Sequence, residues 1–219
     1  MENELRGGIE FLPPDMVSAA ANLSWMVVYV DTVRLAHLIA IVLGLGSVIQ
    51  LALSAPRILR EGISRTVLEL IDRAHGRIVL ALALLWVSGL ALVQIRTGFD
   101  PSAASPKLVT KLVVVTVLTV DAVLMAWLVK PVIAEARGSA LQDLSWAKTA
   151  VIANCVALSG ASWTYALVLG ASSVLKTAEP PVLIAAGLII YGSAYAAVFT
   201  AAALLKRPAG GRLQPPSLP

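Results

Sequence analysis

Five apolar runs, each near the roughly 20 residues that cross a hydrocarbon core of about 30 Å, constrain this chain more than any other feature. They predict helices at about residues 25–54, 64–96, 108–130, 147–170 and 181–205. A backbone in lipid must satisfy its own N–H and C=O groups, so only helices and closed barrels span it. Barrel strands alternate in polarity and cross in about ten residues, and these runs do neither. The expected fold is therefore all-α: a polytopic membrane protein built as a five-transmembrane-helix bundle. Composition agrees, with 58% hydrophobic residues, 14% charged residues and a mean hydropathy of +0.83, against about 45–50% apolar and 25% charged in soluble domains.

The rest of the chain is short. Residues 1–24 are expected to form an extracytoplasmic segment, because Glu2, Glu4, Glu10 and Asp15 against Arg6 reverse the basic start of a signal peptide. Residues 206–219, KRPAGGRLQPPSLP, have the proline and glycine content of a disordered cytoplasmic tail. Prolines punctuate the helices: Pro56 follows the first, Pro106 precedes the third, Pro131 is expected to stop it, and Pro180–Pro181 open the fifth. Ser64 is a candidate N-cap for the second. Cys155 is the single cysteine, which excludes an intrachain disulfide, a CxxC pair and a cysteine metal cage.

The net charge of +4 reflects basic loops on one side rather than a nucleic-acid partner. Counting the basic residues at the helix ends with the loops they flank, eleven Lys and Arg fall at the first and third connections and the tail, against five at the N-terminal segment and the second and fourth connections. The positive-inside rule puts the N-terminus outside and the C-terminus in the cytoplasm. A bacterial cytoplasmic (inner) membrane is the expected location. The bilayer is the expected partner, with a second membrane protein or another copy of the chain as candidates.

Within that orientation the polar residues gather in the outer half. Asp31, Arg34 and His37 lie early in helix one, Lys111 opens helix three, and Ser162 lies toward the outer end of helix four. Tyr191 and Tyr195 stand midway along helix five. Trp163 and Tyr165 are expected in an interfacial aromatic belt. The inner halves read SVIQLALS, IVLALALL, AVLMAWLV and AAVFTAAALL, which predicts a sealed inner half and an outward-facing pocket. Gly44, Gly46 and the Ala153, Ala157, Ala161 series have the small-residue spacing of close helix packing.

Asp121 sits within LVVVTVLTVDAVLMAWLV. A charge at mid-bilayer costs at least about 2.5–3.5 kcal/mol, so the carboxyl should face the bundle. The expected partners are His37, Arg34, Lys111 or the helix-five tyrosines; the alternative is a neutral acid that only packs. His37 is the candidate haem axial ligand, since a neutral imidazole commonly holds haem iron; the alternative is a tolerated interfacial residue. His75, among Glu69, Asp72, Arg73 and Arg77, reads as a solvated histidine near the opposite face.

The stretch VRLAHLIAIVLGLGSVIQLALSAPRIL resembles the first helix of HemJ-type protoporphyrinogen oxidases and CopD-type membrane proteins. His37, Gly44 or Gly46, and Arg57 match its histidine, glycine stretch and distal basic residue. SPKLVTKLVVVTVLTVDAVL resembles their lysine-led helix, with Lys111 in the lysine position and Asp121 where a HemJ-type helix carries a histidine. HLIAIVLGLGS together with Ser162-Trp163 is similar to bacterial multi-helix membrane proteins of no established activity. The resemblance implies a haem- or quinone-associated redox protein, with haem b on His37. A non-enzymatic accessory or assembly subunit is the competing class, and a small-molecule transporter the third.

Overall fold

The computed structural model describes residues 14–206, and the sequence expectations for residues 1–13 and 207–219 lie outside it. Among the described residues every regular element is helical, and five helices are long and apolar enough to cross a membrane. They are α1 (Pro14–Glu61), α2 (Arg65–Thr97), α3 (Pro106–Glu135), α4 (Trp146–Ala171) and α5 (Pro180–Leu205). α1 packs along α2, α2 on α3, α3 on α4, and α5 lies against α4.

Three sequence boundaries are corrected. α1 begins at Pro14 rather than at residue 25, within the expected N-terminal segment, and continues through Pro56 to Glu61; at 48 residues it is about 72 Å long at 1.5 Å per residue. α3 does not stop at Pro131. Its ring would clash with the carbonyl of Trp127 in a regular helix, and the helix opens instead into a π-turn over Met125–Val129. The Lys130 N–H reaches back to the Met125 carbonyl, and regular α-helix resumes over Lys130–Glu135. The other ends follow their caps. Ser64 accepts from the Val67 N–H at 3.3 Å, Ser105 from Leu108 and Ser145 from Lys148.

One end of the bundle carries the α1–α2 and α3–α4 connections and is called here the basic end. Ile63 N–H donates to the Ser139 carbonyl at 3.1 Å, and Gly138 N–H to the Ile63 carbonyl at 3.0 Å. Both turns need glycine: Gly62 and Gly138 have φ of 75° and 85°. Ion pairs brace the same end, Lys130 with Asp72 at 2.6 Å and Lys148 with Glu135 at 2.9 Å. Lys206 donates to the Gln142 and Leu144 carbonyls and ties α5 to it. At the opposite end Lys107 Nζ donates to the Ser172 carbonyl at 2.9 Å. There the Ser102 hydroxyl and N–H also bond to Asp100, which holds that carboxyl below its ordinary range.

Two apolar clusters fill the bundle. The larger joins Ala40, Ala81, Leu85, Leu118, Trp163 and Leu183 across the middle and the opposite end. The smaller joins Ile63, Val129, Ile133, Leu144 and Cys155 at the basic end.

Candidate functional site

Between these clusters lies a cavity of about 410 Å³. Its walls come from α1 (Val48, Leu51, Ala52), α2 (Val67, Ile71, Ile78), α3 (Leu118, Met125, Val129) and α4 (Ile152, Val156, Ser159). The expectation of a sealed inner half is thereby corrected, because the open volume sits in the half that the sequence showed as apolar. The reason is geometric. Gly44 lets α1 approach α4 so closely that a Cβ on it would overlap the six-membered ring of Trp163. Beyond that contact the two helices are separated by the cavity, bordered by alanines at 52 and 55 where larger side chains would fill it. Ala52 and Val156 border the cavity and are also exposed on the outer surface, so it opens sideways between α1 and α4.

Asp121 stands at the closed end. It is 2% exposed, and Ser159 of α4 is the polar side chain beside it. Its Oδ1 is buried without a hydrogen-bond partner. The Nε1–H of Trp163, a residue wholly buried at the same cavity, has none either. His75 and Lys130 border the cavity nearer the basic end. The π-turn contributes Met125 and Val129, so the opened turn is itself part of the wall.

The other polar residues singled out by sequence do not join this site. Asp31 and Arg34 pair with each other at 3.0 Å on the exposed surface of α1, a contact worth little energy. Lys111 is half-buried on α3, with His37 within range of its charge. The Ser162 hydroxyl and Tyr191 OH share a hydrogen bond of 2.7 Å, and Tyr195 OH donates to Asn154 Oδ1 at 3.0 Å. Both pin α5 to α4. None of the expected partners of Asp121 bonds to it. Many hydroxyls are satisfied on their own helix: Ser47 donates to the Leu43 carbonyl, Thr116 to Leu112 and Thr164 to Gly160.

The aromatic-belt expectation for Trp163 and Tyr165 is also corrected. They are 0% and 4% exposed, inside the bundle. Tyr165 OH donates to the Leu183 carbonyl at 2.6 Å, and its ring lies 3.3 Å from a Cβ built on Gly187.

His37 is held by α2. The Ser88 hydroxyl gives its one proton to the Leu84 carbonyl at 2.5 Å, so the imidazole donates to Ser88 from Nδ1 at 2.9 Å. Nε2 is left with the free lone pair, the arrangement that orients a ligating histidine. A haem also needs open volume at that nitrogen. The cavity borders His75 and Asp121 but not His37, and Ala40, Ala81 and Leu85 fill the core cluster flanking it. These residues do not fit a haem held inside the bundle. Among the described residues no three His, Cys, Asp or Glu side chains converge to hold a metal ion.

Sequence reasoning missed Trp163, Ser159, His75 and the alanines of α1 as parts of one site. The only usable signal was the Ser162-Trp163 pair, set apart by the resemblance. Compared with known proteins, the chain matches no family model, no curated protein and no solved structure.

Proposed function

We propose that this chain is a multi-pass membrane protein that binds a slender lipophilic molecule inside its bundle, drawn from the bilayer core. One observation carries the reading: a 410 Å³ cavity, apolar along its length, that ends on a buried Asp121. Its volume lies within the roughly 300–1,000 Å³ typical of small-molecule sites, and its apolar wall with a few polar groups is their usual chemistry. The sideways opening between α1 and α4 suits a ligand already dissolved in lipid. The basic asymmetry of the connections supports a cytoplasmic C-terminus, with the cavity in the inner half of a bacterial cytoplasmic membrane. A redox role with a lipophilic quinone is compatible with the same cavity. The accessory-subunit reading draws on the Ser162–Tyr191 and Tyr195–Asn154 bonds, which serve packing.

The test is solvent extraction of protein purified in a mild detergent, followed by mass spectrometry. The expected result is one lipophilic species near equimolar with the protein. Filling the cavity by Ala52→Phe with Val156→Phe should remove that species and leave the fold intact. An extract holding only bulk membrane lipid would sink the reading. A Soret band that His37→Ala abolishes would restore the haem assignment in its place.

A further inference from the structure

Two buried polar atoms have no partner, an oxygen of Asp121 and the indole N–H of Trp163, and both residues line one apolar cavity. Leaving such groups unsatisfied forfeits their hydration with nothing in return, and native proteins leave few of them. Asp121 is 2% exposed and Trp163 0%, so bulk water does not reach them. The geometry points to a ligand whose buried end is a hydroxyl, one group that donates to Asp121 Oδ1 and accepts from Trp163 Nε1. This inference rests on the lipophile-binding reading above and names the chemistry of the head group.

The argument is by inventory. A quinone carbonyl accepts only; it can accept from the indole N–H but offers nothing to an ionised carboxylate oxygen, whereas the reduced quinol carries the hydroxyl that does both. An ammonium donates only, so it would pair with Asp121 and leave the indole N–H buried and unmet. A simple hydrocarbon satisfies neither partner, and an ester, like a quinone, accepts only. A phenol or alcohol does both with one oxygen, and its tail then runs down the channel past Met125, Val129 and Ile71. Ser159, beside Asp121, adds a third polar group at the same end. The sites of discrimination and of apolar binding are therefore separate: the closed end reads the head, and the wall takes any tail of suitable girth.

The experiment compares 4-octylphenol with its methyl ether in lipid nanodiscs, by calorimetric titration corrected for partition into empty discs. The ether keeps the acceptor and the tail and lacks only the donor. The phenol is expected to bind at least tenfold tighter to the wild type. Asp121→Leu, folded as judged by its thermal transition, should reduce the ratio to about one. Trp163→Phe should weaken phenol and ether alike and preserve the ratio. Asp121→Asn serves as a second variant should leucine fail to fold, because its amide can donate to the ether and so also collapses the ratio. Equal binding of both probes by the wild type would overturn the hydroxyl assignment while leaving the lipophile reading in place. Binding of neither probe, with no species in the extract, would overturn both.

Discussion

Gly44 has no room for a methyl group. The benzo edge of Trp163 occupies the position that a Cβ would take, and Trp163 also lines the cavity. Gly44→Ala should therefore do two things at once: overpack the α1–α4 contact, at a cost of about 1–3 kcal/mol, and drive the indole into the ligand volume. A lowered thermal transition in detergent, together with loss of any co-purified lipophile, is the expected outcome; Gly46→Ala, with open space around it, should change neither. At this scale the sequence was partly legible. A carboxyl inside an apolar run announces itself by its solvation cost, so Asp121 could be picked out, and its burial is as expected. Its neighbours could not. Which face of each helix meets which depends on rotations of tens of degrees, and Ser159 and Trp163 look like any small or aromatic residue of a membrane helix.

Helices are where the sequence spoke most plainly, since length and apolarity are local properties. The second, fourth and fifth helices begin and end within a residue or so of their expected limits. The third does not, because Pro131, which in sequence predicts a stop, is absorbed by the backbone as a π-turn. Such turns recur at functional sites, and this one faces the cavity just beyond Asp121. The clearest test at this scale concerns α2. Ser64 caps its first turn and sits beside the Ile63 link to the α3–α4 connection. Ser64→Ala should cost about 1 kcal/mol, read as a fall in the thermal transition, and Ser64→Asp should recover most of it. An alanine variant as stable as the wild type would mean that the turn is held by its backbone bonds alone.

For the molecule as a whole, the uneven distribution of Lys and Arg predicts which end faces the cytoplasm. A reporter active only in the cytoplasm should work when fused after Pro219; activity confined to an extracytoplasmic reporter would invert the orientation and move the cavity to the outer half. The cavity itself was illegible for a physical reason. Polar residues mark where water or charge must be accommodated, whereas a void is a shortage of volume, and alanines at 52 and 55 carry no sign of it until the helices are assembled. Most of the polar residues that the sequence marks are pins between helices or hydroxyls bonded to their own backbone.

The paired backbone bonds between Ile63 and the Gly138–Ser139 turn close the basic end, and Ile63, Ile133 and Leu141 border the cavity beneath them. With that end latched, the proposed guest would arrive sideways through the membrane. The solvent from which it binds is hydrocarbon, and its effective concentration is its mole fraction in the leaflet. Each added methylene favours partition into lipid by about 0.8 kcal/mol, so an affinity referred to the aqueous phase would improve about fourfold per carbon even where that carbon never touches the protein. Selectivity among guests then rests on the head group alone, and the bilayer, more than the bundle, decides how much of each guest is on offer.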